Sequence, residues 1–208
     1  HTFEDEDFLK RMTQCSAVTF IIGLAATLVF AVVLAVCVPG GFDGLLVGIF
    51  SEDGRGIIDY LLWIAWVAVA LVVSLAAHEL VHAIFFKAFA PAGTRVSFGA
   101  NWKRGMLYAC AEGIVYTRGQ YLIIALALTF VVTPLVVAAG LACGCPVAGA
   151  FAAVLHLTGC AGDWGYVHEL RADPLITHCE DTSYGVCFYG DDEDCDAAFG
   201  EEQEEVRS

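Results

Sequence analysis

The chain has 208 residues, is 58% hydrophobic and only 16% charged, and carries a formal net charge of −14. Four long stretches with almost no charge exclude an ordinary soluble domain and point to a multi-pass membrane protein, while the acidic balance disfavours nucleic-acid binding. Nine cysteines are an odd number, several of them in or beside apolar runs, which implies no disulfide framework and reads better as free thiols.

An acidic segment, residues 1–15, ends with Lys10, Arg11 and a few polar residues. Ser16 to Val38 follows without a charge. At about 1.5 Å per residue it exceeds a hydrocarbon core of about 30 Å, and it is longer than the roughly 7 to 15 residues of a cleavable signal. It reads as a retained first span. Leu34-Ala35-Val36-Cys37 resembles a lipoprotein cleavage site only faintly, with Val36 where a small residue belongs.

The second run, Ile57 to Ala90, has Asp59 as its only charge before His78-Glu79-Leu80-Val81-His82, an H-E-x-x-H pattern. The connection from Pro91 to Gln120 interleaves glycines with aromatic and branched residues such as Val96, Phe98 and Tyr116, which predicts one or two short hairpin strands at the membrane face. Tyr121 to Ala142, containing Pro134, makes a third span. Cys145 to Gly162, interrupted only by His156 and closed by Asp163, makes a fourth. The expected fold is an all-α membrane protein: about four transmembrane helices within residues 16–170, a short cytoplasmic hairpin-like insert, and an acidic cytoplasmic tail over 171–208.

Lys10 and Arg11 precede the first span, and Lys87, Arg95, Lys103, Arg104 and Arg118 lie in or flank the middle connection, whereas the first and third connections hold only Arg55. The positive-inside rule then puts both termini and the middle connection on the cytoplasmic side of the cell's inner membrane. In that orientation His78 and His82 fall in the cytoplasmic third of the second span, and Asp163 falls at the cytoplasmic end of the fourth, at similar depth.

Residues four apart on a helix share a face, so His78 and His82 can present two imidazoles to one Zn²⁺ ion with Glu79 leaning to the same side. In that chemistry the metal acidifies a water towards a pKa of about 7, and Glu79 moves its proton to the leaving amine. The bland alternative is a pair of membrane-interface histidines beside a snorkelling Glu. A catalytic zinc needs a third protein ligand, and Asp163 is chosen because it lies at matching depth after the small residues Gly159, Cys160, Ala161 and Gly162. An acid that merely ends a span is the competing reading. His156 is the rival ligand, but it lies seven residues and about 10.5 Å from Asp163 along a helix, so the two cannot easily share an ion. A polar contact or a substrate-facing role, or equally a satisfied interior histidine, suits His156 better. His168 and His178 read as surface residues.

At these residues the chain resembles the putative zincin peptidases, small bacterial multi-pass membrane proteins similar in layout to site-2 proteases. The resemblance rests on His78-Glu79-Leu80-Val81-His82-Ala83 closing a span, the Gly- and aromatic-containing insert, and Tyr121 leading a span with Thr133-Pro134-Leu135. It extends to Gly162-Asp163 and to Asp181, Gly185, Val186 and Tyr189, covering about Leu71 to Tyr189. It implies a zinc-dependent, membrane-embedded peptidase with one ion held by His78, His82 and Asp163, Glu79 as catalytic acid and base, and a membrane or membrane-proximal peptide as substrate. Site-2 proteases carry their aspartate in an Asn-Pro-containing segment; Leu157 to Gly162 has neither residue. A different class of function also fits: a non-catalytic metal-binding membrane adaptor or transport component, in which Glu79 is dispensable.

Overall fold

A computed structural model describes residue 2 and residues 5–37, 56–101, 106–182 and 185–190. The first connection, much of the expected hairpin turn and the acidic run beyond 190 lie outside the described residues. The elements in chain order are α1 (Glu6–Cys37), α2 (Gly56–Phe89), β1 (Ser97–Asn101), β2 (Met106–Cys110), β3 (Val115–Thr117), α3 (Arg118–Ala142), α4 (Pro146–Gly159), α5 (Ala161–Ala172), β4 (His178–Thr182) and β5 (Gly185–Tyr189).

Three helices, α1, α2 and α3, are long and apolar enough to cross a membrane. Their outward faces carry bare apolar side chains: Ile21 is 65% exposed, Val72 66% and Phe130 72%. Such faces fit lipid, where an exposed branched residue costs nothing. The stretch read as a fourth span differs from expectation. It is cut at Cys160, whose N–H is shared between the carbonyls of His156 and Leu157, so that α4 has 14 residues and a length of about 21 Å, short of a hydrocarbon core. The chain also departs from an all-α fold by adding two small sheets to its helices. β1 and β2 form the expected hairpin, pairing antiparallel from Ser97 opposite Cys110 to Asn101 opposite Met106. The second sheet, in order β3-β4-β5, draws two of its strands from residues that read as acidic tail.

Local signals explain several boundaries. Asp5 caps α1, its Oδ1 accepting from the N–H groups of Asp7 at 2.8 Å and Phe8 at 3.0 Å. Thr117 and Gln120 cap α3 reciprocally: the Thr117 N–H donates to Gln120 Oε1 at 2.9 Å, and the Gln120 N–H donates to Thr117 Oγ1. Pro146 opens α4, where a missing N–H costs nothing.

The chain divides into two compact units. One holds residues 1–12, 79–127 and 162–208; the other holds 13–78 and 128–161. The first is built on an aromatic core. Phe8 stacks on Tyr166 with ring centroids 5.4 Å apart, Phe86 meets Tyr116 at 5.3 Å, and Leu170, Cys179 and Val186 complete it. Gly165 lets the ring come close, because a Cβ at that position would lie 3.0 Å from Phe8 and the ring would have to shift by a few tenths of an ångström. The buried Tyr116 hydroxyl donates to the Phe86 carbonyl at 3.2 Å, and the Val186 N–H donates to Thr2 Oγ1. The N-terminal segment is therefore part of this core.

The second unit is held by small residues instead. A Cβ on Gly140 of α3 would lie 2.5 Å from the Gly149 Cα of α4, and one on Gly23 of α1 would lie 2.5 Å from Val154. Ala148, Ala152 and Ala153 line the buried side of α4. Small side chains let helices approach until backbone touches backbone, which is how helices associate where no water drives them together.

Candidate metal centre

Helix α2 runs without a break through the H-E-x-x-H residues. Its geometry alone sets His78 one turn before His82, with Glu79 on the adjoining flank. Leu80 and Ile84, each 55% exposed, point away; Ala83 and Phe86 are buried. The side of α2 that carries His82 therefore faces the protein interior.

Within the first unit, His82 Nε2 lies 3.3 Å from Asp163 Oδ1. His82 also stacks on Phe86 at 5.7 Å, which fixes its ring plane. Asp163 stands in the first turn of α5 and is only 7% exposed. The interruption at Cys160 is what puts it there: a new helix begins two residues earlier, and a carboxylate in a first turn is favoured by the helix dipole. The Glu79 carboxylate accepts a hydrogen bond from the Ala109 N–H of β2 and feels the charges of His82 and Asp163.

A further acid stands in this unit. Asp181 on β4 accepts a hydrogen bond from the Tyr121 hydroxyl at 3.2 Å. Burial pushes its carboxyl up to about 7, against the opposing pull of His82 and the Tyr121 hydrogen bond. The same burial raises the Tyr166 phenol and pushes the Cys179 thiol up to about 12, so neither is a nucleophile near neutral pH.

Within the second unit, His156 of α4 is 2% exposed. Its Nε2 lies 3.3 Å from His78 Nδ1 and its Nδ1 lies 3.0 Å from Thr133 Oγ1. Among the described residues of the second unit, His78, His156 and Cys160 offer ligand atoms within 4.8 Å of one another. Along the chain, His78 is continuous with Glu79 and His82 through the unbroken helix α2.

Of the sequence-predicted residues, His82 and Asp163 meet within the first unit, where Glu79 also lies on α2, and His156 stands beside His78 within the second. His168 is exposed and His178 lies in β4 beside Thr177. The described cysteines are free thiols. Sequence reasoning missed Asp181 and Tyr121 as neighbours of this site, because Asp181 reads as one more acid of a solvated tail. It also missed the Thr133 to His156 contact, whose signal was two polar residues facing apolar runs on two helices.

Two imidazoles and a carboxylate are a donor set that zinc accepts in catalytic sites, with a position left open. A family model described as putative zincin peptidase matches residues 71–175, just over half of the chain. No curated protein matches the chain, and no solved structure does.

Proposed function

The chain belongs to the putative zincin peptidase family, and from that membership we propose that it is a zinc-dependent membrane peptidase hydrolysing peptide bonds of a membrane-embedded or membrane-proximal substrate. The reading is carried by the approach of His82 Nε2 and Asp163 Oδ1 to 3.3 Å, from a helix long enough to cross a membrane and from the start of another helix. Charged groups on such helices are costly and are retained for function.

In this proposal His78, His82 and Asp163 hold a single ion. Zinc so held supplies Lewis acidity, which polarises a carbonyl and makes water a usable nucleophile near pH 7. Glu79 takes the proton from the attacking water and delivers it to the amine as the peptide bond breaks. The Ala109 N–H fixes the carboxylate for that transfer, since one oxygen anchored to a strand leaves the other to exchange the proton. Asp163 orients His82 and contributes the negative charge that keeps the site from carrying the full charge of a divalent cation. The basic residues around the middle connection support a site near the cytoplasmic face of the inner membrane, with both termini on that side.

The test is zinc quantification and peptide hydrolysis on the full chain in mild detergent. The wild type is expected to hold about one zinc, His82→Ala to lose it, and Asp163→Ala to bind it much more weakly. Glu79→Gln is expected to keep the zinc and lose about 10²- to 10⁴-fold in turnover, the usual contribution of a positioned base. An active Glu79→Gln protein overturns the mechanism. Zinc whose removal unfolds every variant, with no hydrolysis in any, would assign the chain to the metal-binding adaptor class instead.

A further inference from the structure

We propose that His156 is a positioning residue for His78, the far end of a relay that fixes which nitrogen His78 offers to the metal. The inference rests on the zinc reading above and deepens it.

His78, His156 and Thr133 form a line of polar atoms in an interior rich in Ala, Gly and Val. His78 Nδ1 is 3.3 Å from His156 Nε2, and His156 Nδ1 is 3.0 Å from Thr133 Oγ1. With one proton on each ring, the line runs in only two ways. In the first, the His78 Nδ1–H donates to His156 Nε2, the His156 Nδ1–H donates to Thr133 Oγ1, and His78 Nε2 keeps a bare lone pair. In the second, the Thr133 hydroxyl donates to His156 Nδ1, the His156 Nε2–H donates to His78 Nδ1, and His78 Nε2 carries a proton. Only the first leaves His78 able to ligate through Nε2, because a metal takes the unprotonated nitrogen. The imidazole of His156 thus does what a carboxylate or a backbone carbonyl does behind most metal-binding histidines.

The competing assignment is a metal bound by His78, His156 and Cys160 themselves. The sulfur position argues against it. Cys160 Sγ lies 3.9 Å from His156 Nδ1 and 4.0 Å from His156 Nε2, on the plane midway between the two ring nitrogens. An ion about 2 Å out along the Nε2 lone pair would lie about 3 Å to one side of that plane, so a sulfur on the plane falls well beyond a zinc–sulfur bond of about 2.3 Å. His156 is therefore placed to hold a neighbour and not an ion, which also separates it from the third-ligand role that Asp163 fills.

The experiment measures zinc affinity by chelator competition on the detergent-solubilised full chain, together with the visible spectrum after Co²⁺ replaces zinc. His156→Leu is expected to weaken zinc by about 10- to 100-fold, the usual effect of removing a partner behind a ligand, while the Co²⁺ spectrum at saturation keeps its shape because the ligands are unchanged. His156→Gln, whose side-chain oxygen can accept from His78 Nδ1–H, is expected to restore most of the affinity. Thr133→Val, one step further along the relay, is expected to weaken zinc by about 3- to 10-fold, and this arm stands if His156→Leu does not fold. Unchanged affinity in Thr133→Val and in a folded His156→Leu overturns the proposal. So does a Co²⁺ spectrum altered by His156→Leu, which would make His156 a ligand. A wild type that binds no zinc, with His82→Ala and Asp163→Ala indistinguishable from it, overturns the zinc reading itself and this inference with it.

Discussion

The two units solve the problem of a stable interior in opposite ways. The first, which holds Glu79, His82, Asp163 and Asp181, fills its interior with large rings: Phe8, Phe86, Tyr116, Tyr121 and Tyr166. The second, which holds His156 and most of the apolar length, removes side chains altogether and lets Gly140 meet Gly149 and Gly23 meet Val154. Tyrosine supplies bulk with a hydroxyl at its edge, so an aromatic core can hold charged groups in place with hydrogen bonds. A core of Gly and Ala has no such handle, and its buried hydroxyls turn to helix carbonyls, Thr27 to Gly23 and Ser74 to Leu71. The two imidazoles of the second unit instead join Thr133 in a line, His78 to His156 to Thr133, while in the first the Tyr121 hydroxyl meets Asp181.

The sharpest way to break this contrast is to add a side chain where backbone meets backbone. Gly149→Val is expected to destabilise the protein by about 3 kcal/mol, seen as a lower melting temperature in detergent, because its Cβ would lie 2.7 Å from the Gly140 Cα and neither helix can yield locally. If Gly149→Val is neutral, the second unit is not held by close approach.

The next effect tests the acid in the aromatic core. The Asp181 carboxyl, ordinarily near 3.8, is raised to about 7. A group that binds its proton more tightly when folded favours the folded state at low pH, so its contribution is complete below about pH 4 and is lost as pH rises through about 7. The zinc-free protein should therefore lose stability across that window. Asp181→Asn should flatten the profile and raise stability at pH 8 by about 2 kcal/mol, less than the full shift implies because the residue is only partly buried. A profile unchanged by the substitution would remove Asp181 as its source.

Smaller again is Tyr116→Phe, which deletes the hydroxyl bonded to the Phe86 carbonyl and is expected to cost about 1 kcal/mol, since that carbonyl keeps its helix bond from the Ala90 N–H. Smallest is Arg11→Ala. The Arg11 guanidinium donates to Glu169 Oε1 at 2.7 Å, but the Arg11 side chain is 49% exposed, and such pairs contribute about 0 to 1 kcal/mol. A chemical-denaturation series over these two variants would show whether order within the first unit comes from buried hydroxyls or from surface charge.

The legible parts of this molecule were those written in local pattern. The three long helices follow from uninterrupted apolar runs, the β1–β2 hairpin follows from glycines interleaved with aromatics, and His78, Glu79 and His82 are set together by helix spacing alone. The nearness of Asp163 to His82 agrees with the depth that charge asymmetry assigns to both. What stayed hidden depends on contacts between distant residues. In the apolar run from Cys145 to Gly162 only the glycines flanking Cys160 hint at a helix end, and in a membrane span glycine serves close packing as readily as termination. His178 to Thr182 spells His-Cys-Glu-Asp-Thr, poor strand composition that is drawn into a sheet by pairing with Val115 to Thr117 on one side and with β5 on the other. Phe8 sits among acids and bases at the start of the chain, and only its stacking on Tyr166 shows that the segment is core.

The helix end at Cys160 has a consequence for supply. Each peptide bond cut consumes one water molecule, and a hydrolase set among lipid-facing helices has to obtain that molecule from outside the hydrocarbon. An unbroken span would show its surroundings only apolar side chains, whereas the end of α4 leaves the backbone of Gly159 exposed beside a fully buried Cys160. For the peptidase proposed above, the break that shortens α4 and puts Asp163 in a first turn would therefore also set an exposed peptide group, the least costly contact for water, next to the helix that carries Asp163.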